Sequence, residues 1–301
     1  MSGTTATESA GSARPARAAK PWDHRASATT GLLMAAPLLL GLALFVGYPL
    51  LRIFLDASSG GDLFGRYAHV LSDGVSQRAL FATLRTSAVV VLVATVLGTA
   101  LAWTLHVTER RWVRVVLWTV ALVPFWLGVI VKNYSIYLML SANGPVNSAL
   151  RALGLADEPV NFLYTQTAIV VGIAYSLVPY AVLSLYSAFM HIDKELLHAA
   201  QALGASRVRA LATVAFPLAR GGVAASMALV FVLSIGFYVT PILLGGAQTP
   251  FMATQISQQI FNLYDYPGAA ASAAVLLLIA VLVVGGVFAL VGGRTVKAAL
   301  R

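Results

Sequence analysis

The stretch Ala270-Ala-Ser-Ala-Ala-Val-Leu-Leu-Leu-Ile-Ala-Val-Leu-Val-Val-Gly-Gly-Val-Phe-Ala-Leu-Val-Gly292 contains no Asp, Glu, Lys or Arg. A helix rises 1.5 Å per residue, so about 20 apolar residues cross the ~30 Å hydrocarbon core of a bilayer. Similar runs lie near residues 31–51, 84–106, 113–132, 167–189 and 223–244. The composition agrees: 59% of the chain is apolar and 10% charged, where soluble domains carry about 45–50% and roughly 25%. The reading is an all-α membrane protein with about six transmembrane helices.

Charge sets the expected orientation. The formal net charge is +9, but the cations sit in short clusters between apolar runs and form no continuous basic face of the kind nucleic acid would need. With six spans, one side holds Arg14, Arg17, Lys20, Arg25, Arg110, Arg111, Arg114, Lys194, Arg207, Arg209, Arg220, Arg294, Lys297 and Arg301. The other holds Arg52, Arg66, Arg78, Arg85, Lys132 and Arg151. Cytoplasmic loops carry the excess of Lys and Arg, so both termini are expected in the cytoplasm.

Residues 1–28 are rich in Ala, Ser, Thr and Arg and read as a disordered tail. Residues 29–80 read as the first span with an external loop, 81–293 as the main transmembrane domain, and 294–301 as a second tail. The first apolar run follows a basic cluster, as in a secretory signal, but it is long enough to span and no clear A-x-A site follows it. An uncleaved helix is expected. Ala94, Gly98 and Ala102 recur every four residues and form a small face where another backbone can approach. Pro124, Pro179 and Pro241 should each kink or end a helix. Asn143-Gly-Pro145 makes a turn, after which Val146, Leu150 and Leu153 at helical spacing before Gly154 predict a short interfacial helix.

Enzymatic chemistry has little to work with. There is no cysteine, hence no disulfide, thiolate nucleophile or Cys-based metal site. No Asp, Glu, Lys or Arg falls in the interior of a proposed span, away from its ends; Lys132, at the outer end of the third, is expected to snorkel to the headgroups. The five histidines show no metal-ligand spacing, so neither a metal nor a cofactor is predicted. Lys20, Lys132, Lys194 and Lys297 follow Ala, Val, Asp and Val, which rules out a glycine–lysine phosphate loop.

The most informative loop joins the fourth and fifth spans: Asp193-Lys-Glu195-Leu-Leu-His198-Ala199-Ala200-Gln-Ala-Leu-Gly204, then Ala-Ser-Arg-Val-Arg-Ala-Leu-Ala-Thr-Val214-Ala-Phe216-Pro217. It predicts two short helices. Asp193 suits the N-cap, Ile192, Leu196 and Leu203 with Ala199 and Ala200 give one apolar side, and Gly204 fits a left-handed C′ position. Ser206 can cap the second helix. A compact, ordered loop of this kind offers a docking knob to a soluble partner.

This loop resembles the cytoplasmic signature of the permease subunits of bacterial ABC importers: E-A-A, three residues, G, nine residues, then I-x-L-P. Here the pattern reads His198-Ala199-Ala200, Gly204 and Val214-Ala215-Phe216-Pro217. His198 replaces the usual Glu, and Val214 and Phe216 replace Ile and Leu. The resemblance spans about residues 31–293. Residues Asn143 to Tyr164, Val239 to Gly246 and Tyr266 to Ala270 are similar to the spermidine/putrescine-type branch. The resemblance implies a type-1 importer bundle in the bacterial inner membrane. It also implies a second permease subunit, two copies of a cytoplasmic ATPase, and a periplasmic solute-binding protein as partners. Glu195, His198, Ala199, Ala200, Gly204, Val214, Phe216 and Pro217 would form the ATPase-coupling loop, within 193–217. The outer segments 141–164 and 246–268 would face the binding protein.

The competing reading is a secondary transporter or channel that works without ATP. It is expected to show intramembrane ionisable groups or inverted repeats, and neither is evident. Trp126, Tyr134, Tyr137, Tyr175 and Tyr180 are candidates for a solute pathway, because aromatic faces hold cations such as polyamines. Interfacial Trp and Tyr also serve as plain membrane anchors.

Overall fold

The computed structural model describes residues 28–57, 65–246 and 249–299; the predicted tail over residues 1–27 lies outside them. The described residues are helical throughout their regular structure. The chain divides at Leu50 and Leu51 into two compact units. The first carries α1 (Ala28–Leu42) and a π turn (Ala43–Gly47), and α2 (Tyr48–Ala57), which continues directly from that turn, runs across the division. Met34–Asp56 is long and apolar enough to cross a membrane.

The second unit holds the remaining helices. A short α3 (Gly65–Ser72) leads into the long α4 (Gly74–Val107). Asp73 caps α4 by accepting a bond from the Ser76 amide at 2.9 Å. The hydrogen bonds from Ser76 hold the Asp73 carboxyl below its ordinary value, so this cap is lost only as pH falls through that lowered value. Then come α5 (Arg111–Trp126), α6 (Val129–Leu140), α7 (Pro145–Ala152) and α8 (Gln166–Met190). Beyond them lie α9 (Lys194–Ala202), α10 (Arg207–Ala210), α11 (Phe216–Ile235), α12 (Met252–Phe261) and α13 (Tyr266–Ala299). Among the described residues five helices qualify as spans, and a sixth is reached if the bent pair that begins with α5 and α6 counts as one.

Three predicted spans change on inspection. The run 113–132 is not one helix: the chain breaks between α5 and α6 and turns by 108°. Pro124, near the end of α5, cannot donate to the preceding turn, and Gly128 then starts α6. The run 223–244 is displaced. The helix begins upstream, near Val208, and stops at Ile235 before Gly236. Apolar residues continue past that stop, so hydropathy does not mark it. The third is α13, which extends to Ala299, past the point where a tail was expected. Pro241 opens a π turn (Pro241–Gly245), whereas α8 runs unbroken through Pro179. Pro179 is buried among neighbouring helices, the setting in which membrane helices tolerate proline.

The core is built on close helix contact. Lipid is as apolar as a side chain, so packing rather than water exclusion holds such helices together. The predicted small face of α4 does this: Ala94 and Ala102 are fully buried, and a Cβ on Gly98 would come within 2.8 Å of Ala181 on α8. Gly222 of α11 has the same relation to Ala188. Polar ties pin one end of the bundle. Gln166 donates to the Thr86 hydroxyl at 2.8 Å, the Met252 amide to Thr83 at 2.8 Å, and Gln255 to Ser76 at 2.7 Å. At the other end Trp103 meets Phe189 edge-on at 5.7 Å.

Candidate coupling loop and solute pathway

At the Trp103 end lies the loop singled out by its sequence. Asp193 caps α9, accepting from the Glu195 amide at 2.9 Å, and Gly204 takes φ +88° just past the helix. Both placements follow from local chemistry, a carboxylate for orphan amides and a residue without Cβ for positive φ. Ser206 accepts from the Arg209 amide at 3.3 Å, as a cap should. The second half differs from expectation. It is no separate helix, because α10 passes through a π turn (Leu211–Ala215) straight into α11. Pro217 lies just past the π turn, inside this continuous helix; an irregular turn of this kind is where a helix accommodates a residue without an amide donor.

The predicted single apolar side of α9 is split. Ile192 and Leu197 turn inward and are buried, and Ala200 is half-buried. Leu196 and Leu203 turn outward with Ala199, at 48% and 90% exposure for the two leucines. Positions 196, 199 and 203 share one helix face, so α9 presents an apolar stripe to whatever lies outside. Glu195 and His198 are exposed beside it, and Phe216 and Pro217 are exposed at the start of α11 with Val214 half-buried. A cavity of about 450 Å³ opens between α9 and the α4–α5 turn, lined by Leu197, His198, Gln201, His106, Glu109 and Arg110 among others.

The opposite end is tied by buried amides. Asn147 is fully buried and donates to the Ser141 and Val160 carbonyls at 3.0 and 3.1 Å, while accepting from the Val160 amide at 2.9 Å. It closes the predicted short helix α7, with Gly154 at φ +65°, into one folded segment. Asn133 of α6 accepts from the Thr240 hydroxyl at 2.7 Å, so the two interrupted regions of the chain meet at that bond. Gly172 on α8 makes room, since a Cβ there would stand 2.7 Å from Thr240. Lys132 does not snorkel: it is 6% exposed, on the face of α6 that packs inward with Asn133 and Ile136. The break before α6 turns that face toward the protein.

The five candidate pathway aromatics are not gathered in one place. Trp126 and Tyr180 flank Phe125, with ring centroids 6.2 and 5.3 Å from it. Trp126 is 83% exposed. Tyr175 sits apart on α8, more than a third exposed. Tyr134 and Tyr137 do pair, nearly parallel at 6.2 Å. Tyr137 packs against the buried cluster of Ile136, Leu163, Ala168 and Leu244, whose Leu163 precedes Tyr164, a residue the sequence did not single out. Nothing in the sequence of Tyr164 announces its backbone, which takes φ +62°.

A bundle of membrane-length helices with one bent pair and an exposed, ordered loop is the architecture of a multi-pass membrane subunit. The chain belongs to the family of binding-protein-dependent transport system inner membrane components, whose model matches residues 94–297. It is 33% identical over 247 residues to the spermidine/putrescine transport system permease protein PotB of Escherichia coli, covering 79% of this chain and 89% of that one. It is 27% identical to the ferric transport system permease protein FbpB of Actinobacillus pleuropneumoniae, over 83% of this chain but 36% of the relative. Its fold is shared with a subunit of a bacterial ABC transporter involved in the import of the polysaccharide alginate, at TM-score 0.70 and 19% identity, covering 86% of this chain and 94% of that one. The chain is a multi-pass inner-membrane permease subunit of an ATP-driven importer.

Proposed function

We propose that this chain imports a small amine of the polyamine type, coupled to a separate ATPase through α9. The carrying observation is the exposed stripe of Leu196, Ala199 and Leu203 ahead of Gly204, a face made for a protein rather than for water. In this reading ATP binding closes a pair of cytoplasmic ATPase subunits, the loop 193–217 transmits the motion, and the bundle alternates between inward and outward openings. A second permease completes the pathway, a periplasmic binding protein delivers the solute to the opposite end, and ATP hydrolysis belongs to the ATPase. Both termini then lie in the cytoplasm. The polyamine class rests on the names of the relatives and on the aromatic residues of α6.

The buried Lys132 is the single observation that the ATP-independent reading can claim. Among the described residues it has no carboxylate partner, and a lone lysine does not make a proton relay. Liposomes holding this subunit alone are expected to carry no spermidine flux, and flux is expected once the partner permease, ATPase, binding protein and ATP are supplied. Flux through the lone subunit would put the ATP-independent reading first. Orientation has its own check. The chain has no native cysteine, so an impermeant thiol reagent added to intact cells should label Ser72→Cys and Ser148→Cys but not Ser206→Cys.

A further inference from the structure

We propose that Tyr134, Tyr137 and Tyr164 form an ammonium-binding platform at the end of the bundle opposite α9, the first surface of this subunit that holds the solute's charge. The proposal rests on the reading of the solute as an amine. Helices α4, α5, α6, α8, α11 and α13 contain no Asp or Glu, so an ammonium entering this bundle finds no carboxylate in them. Within these helices aromatic faces can hold it, because a cation within about 6 Å of a ring centroid is attracted by the ring's quadrupole.

Three observations single out this cluster among the aromatics. Tyr134 and Tyr137, three positions apart on α6, hold nearly parallel rings, Tyr134 exposed and Tyr137 half-buried beside it. Lys132 does not oppose a cation there, because two positions along a helix is a turn of about 200°, and its side chain is on the buried face. Tyr164 is held in place from outside its own segment: its amide donates to the Leu244 carbonyl at 2.8 Å, and its ring packs where a Cβ on Gly246 would come within 2.8 Å. A positive φ is unfavourable for a residue with a Cβ and persists only where surroundings enforce it, a condition that concentrates at ligand sites. The platform therefore joins α6 to the outer segment 141–164, with Tyr164 braced from the far side by Leu244 and Gly246.

The test uses the complete transporter in proteoliposomes, with radiolabelled spermidine as probe and tetramethylammonium, which cannot donate a hydrogen bond, as competitor. Tyr134→Leu and Tyr137→Leu should raise the uptake KM about tenfold and abolish tetramethylammonium competition. Tyr134→Phe and Tyr137→Phe, which keep the ring, should stay within about twofold of wild type. ATPase co-purification should be unchanged in all four. Phe variants as impaired as Leu variants, Leu variants with a wild-type KM, or failure of tetramethylammonium to compete in wild type would each overturn the platform. If the wild-type complex takes up no amine at all, the platform and the amine reading fall together. Co-purification would still judge the α9 coupling separately.

Discussion

Gly204→Asp is expected to abolish both ATPase co-purification and solute uptake while leaving the amount of membrane-inserted protein near wild type. Gly204 has φ +88°, and a Cβ built on it meets nothing within 4 Å. Two effects therefore separate. Within the chain the substitution costs about 1 kcal/mol of backbone strain, because residues with a Cβ disfavour positive φ. That is too little to unfold a bundle whose spans are untouched. The added carboxylate, however, points into the open space beside the exposed Leu203, where the proposed partner docks. A desolvated, unpaired charge in such an interface costs several kcal/mol, enough to dissociate it. Gly204→Asn isolates the first effect, since Asn tolerates a left-handed backbone better than most residues and carries no charge. It should retain substantial ATPase binding. Normal binding and uptake in Gly204→Asp would remove α9 as the coupling element.

The features legible in the sequence are those with a local physical cause. Asp193 and Gly204 announce the ends of α9 because capping and positive φ are decided within a few residues. The small face of α4 was equally plain, since helical spacing alone places Ala94, Gly98 and Ala102 together. Features that depend on what lies opposite were hidden. Leu196 and Leu203 look interchangeable with Leu197 until the bundle beneath α9 shows which of them it covers. Lys132 sat at the edge of an apolar run, where snorkelling is the ordinary outcome. The turn after Trp126 reversed that, and the adjacent Asn133 was the available hint that this face is protein-lined. Hydropathy also overran the true helix ends at Trp126 and Ile235, because lipid-facing and loop-buried apolar residues read alike. Tyr164 left no trace, as its conformation is imposed by Leu244 and Gly246, which are distant in sequence.

The largest effect on folding is expected at Gly98. A Cβ there would lie 2.8 Å from the Ala181 Cβ, 3.2 Å from Leu185 Cδ1 and 3.3 Å from the Ala181 carbonyl carbon. Two of these atoms cannot rotate away, so relief requires α4 and α8 to separate, and both pack into the centre of the bundle. Gly98→Ala should already destabilise by about 1–3 kcal/mol, the usual range for overpacking a tight core. Gly98→Leu adds three more carbons with nowhere to go and should leave no monodisperse protein after detergent extraction. Adjacent glycines in α11 supply the control. Gly221 has nothing within 4 Å of its missing Cβ, whereas Gly222 faces Ala188. Fluorescence-detected size exclusion and thermal melting in one detergent should therefore rank Gly221→Ala near wild type. Gly222→Ala and Gly98→Ala should melt lower, and Gly98→Leu should be lost. If Gly98→Leu instead elutes and melts like wild type, α4 and α8 do not approach closely at that point, and the small face is ordinary lipid-exposed surface.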